Sequence, residues 1–279
     1  MRLHIVPAST GLQWARSGVR TFFRQPVAMA TNFFLFLLGL TIAAMVPVIG
    51  FVLTMVLLPA ATLGMMSATR EAVHGRPARP ANLVAAFRAG AEYTRPMLLL
   101  GALYAGGFLV ALGISSLFDG GQFARAYLFE GRLDRETLGA PGVQAAMWAM
   151  VLLYLPLSML FWHAPALVFW YRITPAKSLF FSIVACLRNV GAFTLYGIAW
   201  VGIFILGGLA VGLFTTLLLL TGVLGGADSP LAAGVAAGLM TGSAIVLAAM
   251  FFTSLYFTFI DCFVAPPPSA ETTTVGSDD

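Results

Sequence analysis

Charge is what this chain has least of. Asp, Glu, Lys and Arg make up 9% of its 279 residues, where a water-soluble domain carries about a quarter. Apolar residues are 59% of the chain. A single globule has too little polar surface to cover that many, so the solvent around most of the chain is lipid. Lysine occurs once, at Lys177; the other fourteen basic residues are Arg. Cysteine occurs twice, at Cys186 and Cys262, which excludes a disulfide framework. His4, His74 and His163 stand singly, without metal-ligand spacing. Also missing are a His-Glu-x-x-His helix, a phosphate-cradling glycine loop, a nucleophile elbow and paired intramembrane acids. We therefore expect no catalytic, cofactor-binding or metal residues and a protein that is not an enzyme. The basic residues border apolar runs instead of lying among exposed aromatics on a soluble domain, so nucleic acid is not an expected partner.

What is present is a series of long apolar runs. Val27–Thr69 has no charged residue in 43 positions. A ~30 Å hydrocarbon core needs about 20 helical residues, so this stretch reads as two spans, about 27–46 and 48–69. Pro47 and Gly50 mark the turn between them, and Pro59 kinks the second. Four more spans follow at about 96–118, 143–171, 191–224 and 231–264. Pro156 and Pro165 bend the fourth, and Gly225–Pro230 forms the turn before the sixth. The expected fold is an all-α polytopic transmembrane bundle of about six spans arranged as three hairpins. The segment 1–26 is an amphipathic arm, 27–264 a single transmembrane domain and 265–279 a disordered tail. The first apolar run is too long for a cleavable signal and reads as a retained anchor.

A surface helix is expected before each hairpin. In the arm, Leu12, Ala15, Val19, Phe22 and Phe23 share one face, and Arg16, Arg20 and Arg24 recur every fourth residue on another. Ala81–Tyr93 gives a second, with Leu83, Val84, Phe87 and Ala91 inward. Thr174–Asn189 gives the third. There Thr174 is placed to cap and Pro175 to start the helix, Leu179, Ile183 and Leu187 form an inward stripe widened by Phe180 and Val184, and Lys177, Ser178, Ser182, Arg188 and Asn189 form the polar side. Offsets of 70 and 96 residues align Pro26, Pro96 and Ala192, a weak threefold repeat.

Twelve basic residues fall in the arm and the linkers after spans two and four. The opposite loops hold Arg125, Arg132 and Arg135. The positive-inside rule places both termini in the cytoplasm. Arg16, Arg20, Arg24, Lys177 and Arg188 are the candidate contacts for anionic lipid headgroups. Within the spans the candidate polar sites are Asn32, expected to bond a neighbouring helix, His163, and Asp261, expected to pair with Arg16, Arg20, Arg24 or Arg188. Gly208 and Gly212, and Gly234, Gly238 and Gly242, recur every fourth residue, the spacing at which two helix backbones pack closely within a hairpin.

Trp14, Gly18, Phe22 and Pro26 form a W-xxx-G-xxx-F-xxx-P entry, Ser182–Asn189 leads into a span, and Tyr256 precedes Asp261 at the end of the last one. In these features the chain resembles a group of uncharacterised proteobacterial inner-membrane proteins. It is similar in layout to the YciC-like proteins and to the membrane domain fused to some glycerophosphodiester phosphodiesterases. The resemblance implies six helices in a bacterial inner membrane and no activity, since the hydrolase domain of the fused proteins is not in this sequence. The expected function is that of a non-enzymatic scaffold, or of a bundle that interacts with lipids or with another membrane protein. The alternative is a transporter or channel for a small or amphiphilic solute.

Overall fold

The computed structural model describes residues 2–129, 134–223 and 229–264. Six helical segments are long and apolar enough to cross a membrane: α2 (Pro26–Ala44), α3 (Gly50–Val73), α5 (Ala91–Ser115), α8 with α9 (Pro141–Phe161 and Ala164–Tyr171), α11 (Val190–Leu220) and α12 (Pro230–Cys262). Around them lie α1 (Thr10–Arg24), a 3-10 turn (Pro80–Val84), α4 (Ala85–Arg88), α6 (Gln122–Leu128), α7 (Arg135–Gly139) and α10 (Pro175–Arg188). This is an all-α polytopic bundle. The expected tail 265–279 and most of the turn 225–230 lie outside the described residues.

Two short strands, β1 (Arg2–Leu3) and β2 (Phe263–Val264), pair antiparallel and tie the first described residues to the end of α12. Asn189 locks this clasp. Its side-chain oxygen accepts from the Val6 amide at 2.8 Å, and its side-chain nitrogen donates to the His4 carbonyl at 3.1 Å and to the Ala185 carbonyl at 3.0 Å. Here the clasp marks one end of the bundle. α6 and α7 lie in the loop between α5 and α8, at the far end.

α1 lies across the clasp ends of α11 and α12. Gly11 meets the Ala192 carbonyl of α11, and Gly18 meets Ser254 of α12. In α11 and α12, Tyr196 donates its hydroxyl to Ser254 at 2.5 Å, and Ser254 donates onward to the Phe251 carbonyl at 2.6 Å. α3 lies at the centre, packed on α2, α5 and α12. Its kink residue Pro59 is buried. Gly101 of α5 meets the Val56 carbonyl of α3 so closely that no side chain fits between. The α2–α3 turn occupies residues 45–49, with Val48 in the left-handed region at φ 69°.

Three expectations change. First, the middle surface element is not one helix. The 3-10 turn and α4 stop at Gly90, whose φ of 113° suits glycine, and α5 starts at Ala91. Leu83 and Ala86 face inward, whereas Val84, Phe87 and Ala91 are exposed.

Second, α10 is rotated from the expected face. Ser178, Ser182, Ala185, Cys186 and Asn189 are buried, Leu179, Ile183 and Val184 are half-buried, and Phe180 and Leu187 are 61% and 55% exposed. Lipid is as apolar as leucine, so hiding leucine gains nothing, whereas small and hydrogen-bonding residues gain close contact and partners inside. The Thr174 backbone carbonyl accepts from Ser178, but the Thr174 side chain makes no cap bond.

Third, the glycine ridges of α11 and α12 do not carry the hairpin. A Cβ added at Gly208, Gly212, Gly234, Gly238 or Gly242 meets nothing within 4 Å. The close backbone approaches belong instead to Gly11, Gly18, Gly64 and Gly101. Alanine separates the two groups. Gly18→Ala and Gly101→Ala are expected to lower the melting temperature in detergent, an overpacking cost of about 1–3 kcal/mol. Gly208→Ala and Gly238→Ala leave it unchanged or raise it.

Candidate functional site

The polar residues singled out in the sequence serve different ends. Asn32 is fully buried. Its nitrogen donates to the Ala28 carbonyl one turn back and to the Ala78 carbonyl, both at 2.9 Å. Its partner beyond α2 is thus the linker before α4 and not a neighbouring span. Gln25, at the α1–α2 corner, holds the same linker. It accepts from the Ala78 amide at 2.9 Å and donates to the Arg76 carbonyl at 2.8 Å.

His163 sits where the fourth span breaks between α8 and α9. Continuous helix would send the His163 amide to the Met159 carbonyl. Ser182 of α10 is inserted between them. The His163 amide donates to Ser182 Oγ at 2.9 Å, and that hydroxyl donates to the Met159 carbonyl at 2.7 Å. Pro165 supplies no amide to the turn that follows. Thr258 Oγ1 spends its proton on the Leu255 carbonyl at 2.8 Å. It therefore accepts from both Trp162 Nε1 at 3.1 Å and His163 Nε2 at 3.3 Å. That assigns the Nε2-protonated tautomer to His163. Its Nδ1 has no hydrogen-bond partner among the described residues, and the ring lies against Phe193, Phe259 and Phe263. Beside it, burial raises the pKa of the Cys186 thiol on α10, which keeps it protonated and unreactive.

Asp261 takes an indole and not a guanidinium. Trp14 Nε1 donates to Asp261 Oδ2 at 2.8 Å, which ties α1 to the end of α12. Among the described residues the ion pairs are Arg76–Glu71 and Arg172–Glu92. Arg16, Arg20, Arg24 and Arg188, the partners expected for Asp261, are all exposed. The geometry explains the substitution. The buried face of α1 is Gly11, Trp14, Ala15, Gly18, Thr21 and Phe22, so the tryptophan points at α12 and the arginines point away.

The outer surface of α1 has two parts. Leu12 and Phe23 form an exposed apolar strip, and Arg16, Arg20 and Arg24 run alongside it. Lys177 and Arg188 of α10 are exposed as well. Arg70 went unnoticed as a site residue because it reads as one more linker arginine. Its guanidinium lies 5.5 Å from the Trp170 ring centroid, within cation–π range. Together with Tyr171, Tyr256 and Phe259 it lines a hollow of about 330 Å³. The contact between Arg70 and Trp170 spans 100 positions and left no sequence signal.

The second concave feature lies among the spans. α8 packs along α5 and α10 but not along α3 or α12. The gap is a cleft with two lobes of about 500 and 160 Å³, which share Leu58, Tyr104, Tyr154 and Ser158. Tyr104 and Phe108 form its buried floor, and Val151, Tyr154 and Leu155 its exposed rim.

These features define the class: a multi-pass α-helical membrane protein. The chain is 37% identical over 273 residues to a probable inner membrane protein of Burkholderia thailandensis, covering 97% of each chain. It belongs to the family of that protein and is a multi-pass inner-membrane protein. No protein-family model and no solved structure matches it.

The Trp14–Asp261 contact makes a specific prediction. An asparagine at position 261 still offers a carbonyl to the indole, so Asp261→Asn should change the melting temperature in detergent only slightly. Asp261→Ala and Trp14→Phe should each cost about 1–3 kcal/mol. Equal damage from Asn and Ala would point to a charge partner instead.

Proposed function

We propose that this protein is a non-enzymatic bundle that engages anionic lipid headgroups at its clasp end, with that end in the cytoplasm. The observation that carries this reading is the outer surface of α1. Three exposed arginines run beside exposed Leu12 and Phe23, which is how a helix seats its apolar strip among acyl chains and its cations among phosphates. Lys177 and Arg188 of α10 add exposed cations at the same end of the bundle. The hollow beside Arg70 offers one headgroup a cation held over an aromatic face.

The test is reconstitution into nanodiscs of phosphatidylcholine with and without phosphatidylglycerol. The anionic lipid should raise the melting temperature, and added salt should reduce the gain. Arg16→Gln/Arg20→Gln/Arg24→Gln should remove most of it, at about 1 kcal/mol per cation near an anionic surface. Arg70→Gln should remove a further part. An equal gain in the triple variant would sink the proposal. Orientation has its own check. A reporter active only outside the cytoplasm, fused after Asp279, is expected to stay silent.

A second reading is a path for a small or amphiphilic solute along the cleft, since Pro59 and Pro156 interrupt two spans that border it. Single cysteines replacing Leu58, Tyr154 or Leu255, in a Cys186→Ala/Cys262→Ala background, distinguish the two. Protection from a water-soluble maleimide favours the lipid-engaging reading, and labelling favours an aqueous path.

A further inference from the structure

The cleft among α3, α5, α8 and α12 is walled mostly by apolar and aromatic side chains, and none of its lining residues is Asp, Glu, Lys or Arg. Most of its polar atoms lie near the middle of the spans and can be accounted for one by one. Tyr104 and Tyr154 bring their hydroxyls within 3.3 Å. Whichever donates, one hydroxyl proton of the pair is left over. Ser158 donates to the Leu155 carbonyl at 2.7 Å, and Thr62 donates to the Leu58 carbonyl at 2.9 Å. Their protons are used, so only oxygen lone pairs remain to face the cleft. Trp162 Nε1 is committed to Thr258. The Tyr127 hydroxyl on α6 adds a further donor and acceptor to the larger lobe. The cleft thus presents, near the middle of the spans, a hydroxyl donor and two hydroxyl acceptors, with one more tyrosine hydroxyl on α6 and no charge. Its rim is open, with Tyr154 and Leu155 40% and 55% exposed, so an occupant enters sideways from the bilayer. The larger lobe, about 500 Å³, falls in the size range of small-molecule sites.

Complementarity then selects the occupant. It brings a carbonyl to accept the tyrosine proton and a hydroxyl to donate to Ser158 or Thr62. It carries no ionic group, because a charge at this depth would find no counter-charge in the lining. Its remainder is hydrocarbon. From these features we propose that the cleft is a binding site for a neutral glyceride-type lipid, with its ester carbonyl on the Tyr104–Tyr154 pair, its free hydroxyl near Ser158, and an acyl chain along Leu58, Phe108 and Val151. The site is separate from the basic surface of the clasp end. Arg16→Gln/Arg20→Gln/Arg24→Gln should leave it intact, so the two proposals fail independently.

The probe is a diacylglycerol with a diazirine in one acyl chain, at trace level in phosphatidylcholine vesicles holding the full-length protein. A phosphatidylglycerol with the same chain is run in parallel. Cross-links from the diacylglycerol are expected on the α3, α5 and α8 peptides that contain Leu58, Tyr104 and Tyr154. Excess unlabelled diacylglycerol should compete them away, and unlabelled phosphatidylglycerol should not. Leu155→Trp, a rim change that disturbs no buried contact, should abolish labelling of these peptides with the melting temperature unchanged. Tyr104→Phe/Tyr154→Phe keeps the shape and removes the donor, and should lower labelling about fivefold, the worth of one hydrogen bond. Equal labelling by the two probes, labelling spread evenly around the bundle, or labelling unchanged in both variants would overturn the proposal.

Discussion

Everything in this bundle follows from the loss of the hydrophobic driving force between its helices. In water, leucine goes inside because water rejects it; in lipid that preference disappears. What goes inside is whatever lets backbones approach or finds a hydrogen-bond partner. α10 shows the result most plainly. Ser178, Ser182, Ala185, Cys186 and Asn189 are its most buried positions, and Phe180 and Leu187 face out. α1 obeys the same rule through Gly11 and Gly18, which let it lie directly on α11 and α12.

The same constraint governs the polar chemistry. An unsatisfied backbone group in hydrocarbon costs several kcal/mol, so a broken span needs a repair. At the α8–α9 break the repair comes from another element. The Ser182 hydroxyl serves as both acceptor and donor in the gap between His163 and Met159. His163 is held there by Thr258 and three phenylalanine rings, an arrangement that fixes a bend and contains no acid partner. Asn189 does the equivalent at the clasp, where one amide satisfies three backbone groups, two in the amino-terminal segment and one in α10.

Much of the architecture was legible because it depends on local quantities. Run length, proline position and the absence of charge located six spans. The fourfold spacing of Arg16, Arg20 and Arg24 marked an exposed stripe. Trp14, Gly18 and Phe22 were visible as a motif, although their purpose, a docking face, was not. The errors have two origins. The inward face of α10 and the α4 region were assigned by asking which side is apolar, a question that discriminates only when the outside is water, and the glycine ridges by a spacing that permits close packing without naming the helix that uses it. The Trp14–Asp261 bond, the Arg70–Trp170 stack and the Tyr104–Tyr154 pair join residues 247, 100 and 50 positions apart. Nothing in the neighbourhood of any one of them announces its partner.

The clasp has a consequence for how the protein is made. Among the described residues, 2–6 hydrogen-bond to Asn189 and to residues 261–264, and α1 docks on α11 and α12. Translation delivers the first segment long before its seat exists. Through the insertion of the intervening spans the emerging arm lacks its main seat on α11 and α12, while its arginines and its strip of Leu12 and Phe23 give it a place at the lipid surface. α12 is therefore the helix that admits α1, and arrival of Phe263 and Val264 closes the clasp. A chain shortened by even a few residues at the end of α12 would leave the amino-terminal arm stranded on the membrane with the rest of the bundle assembled.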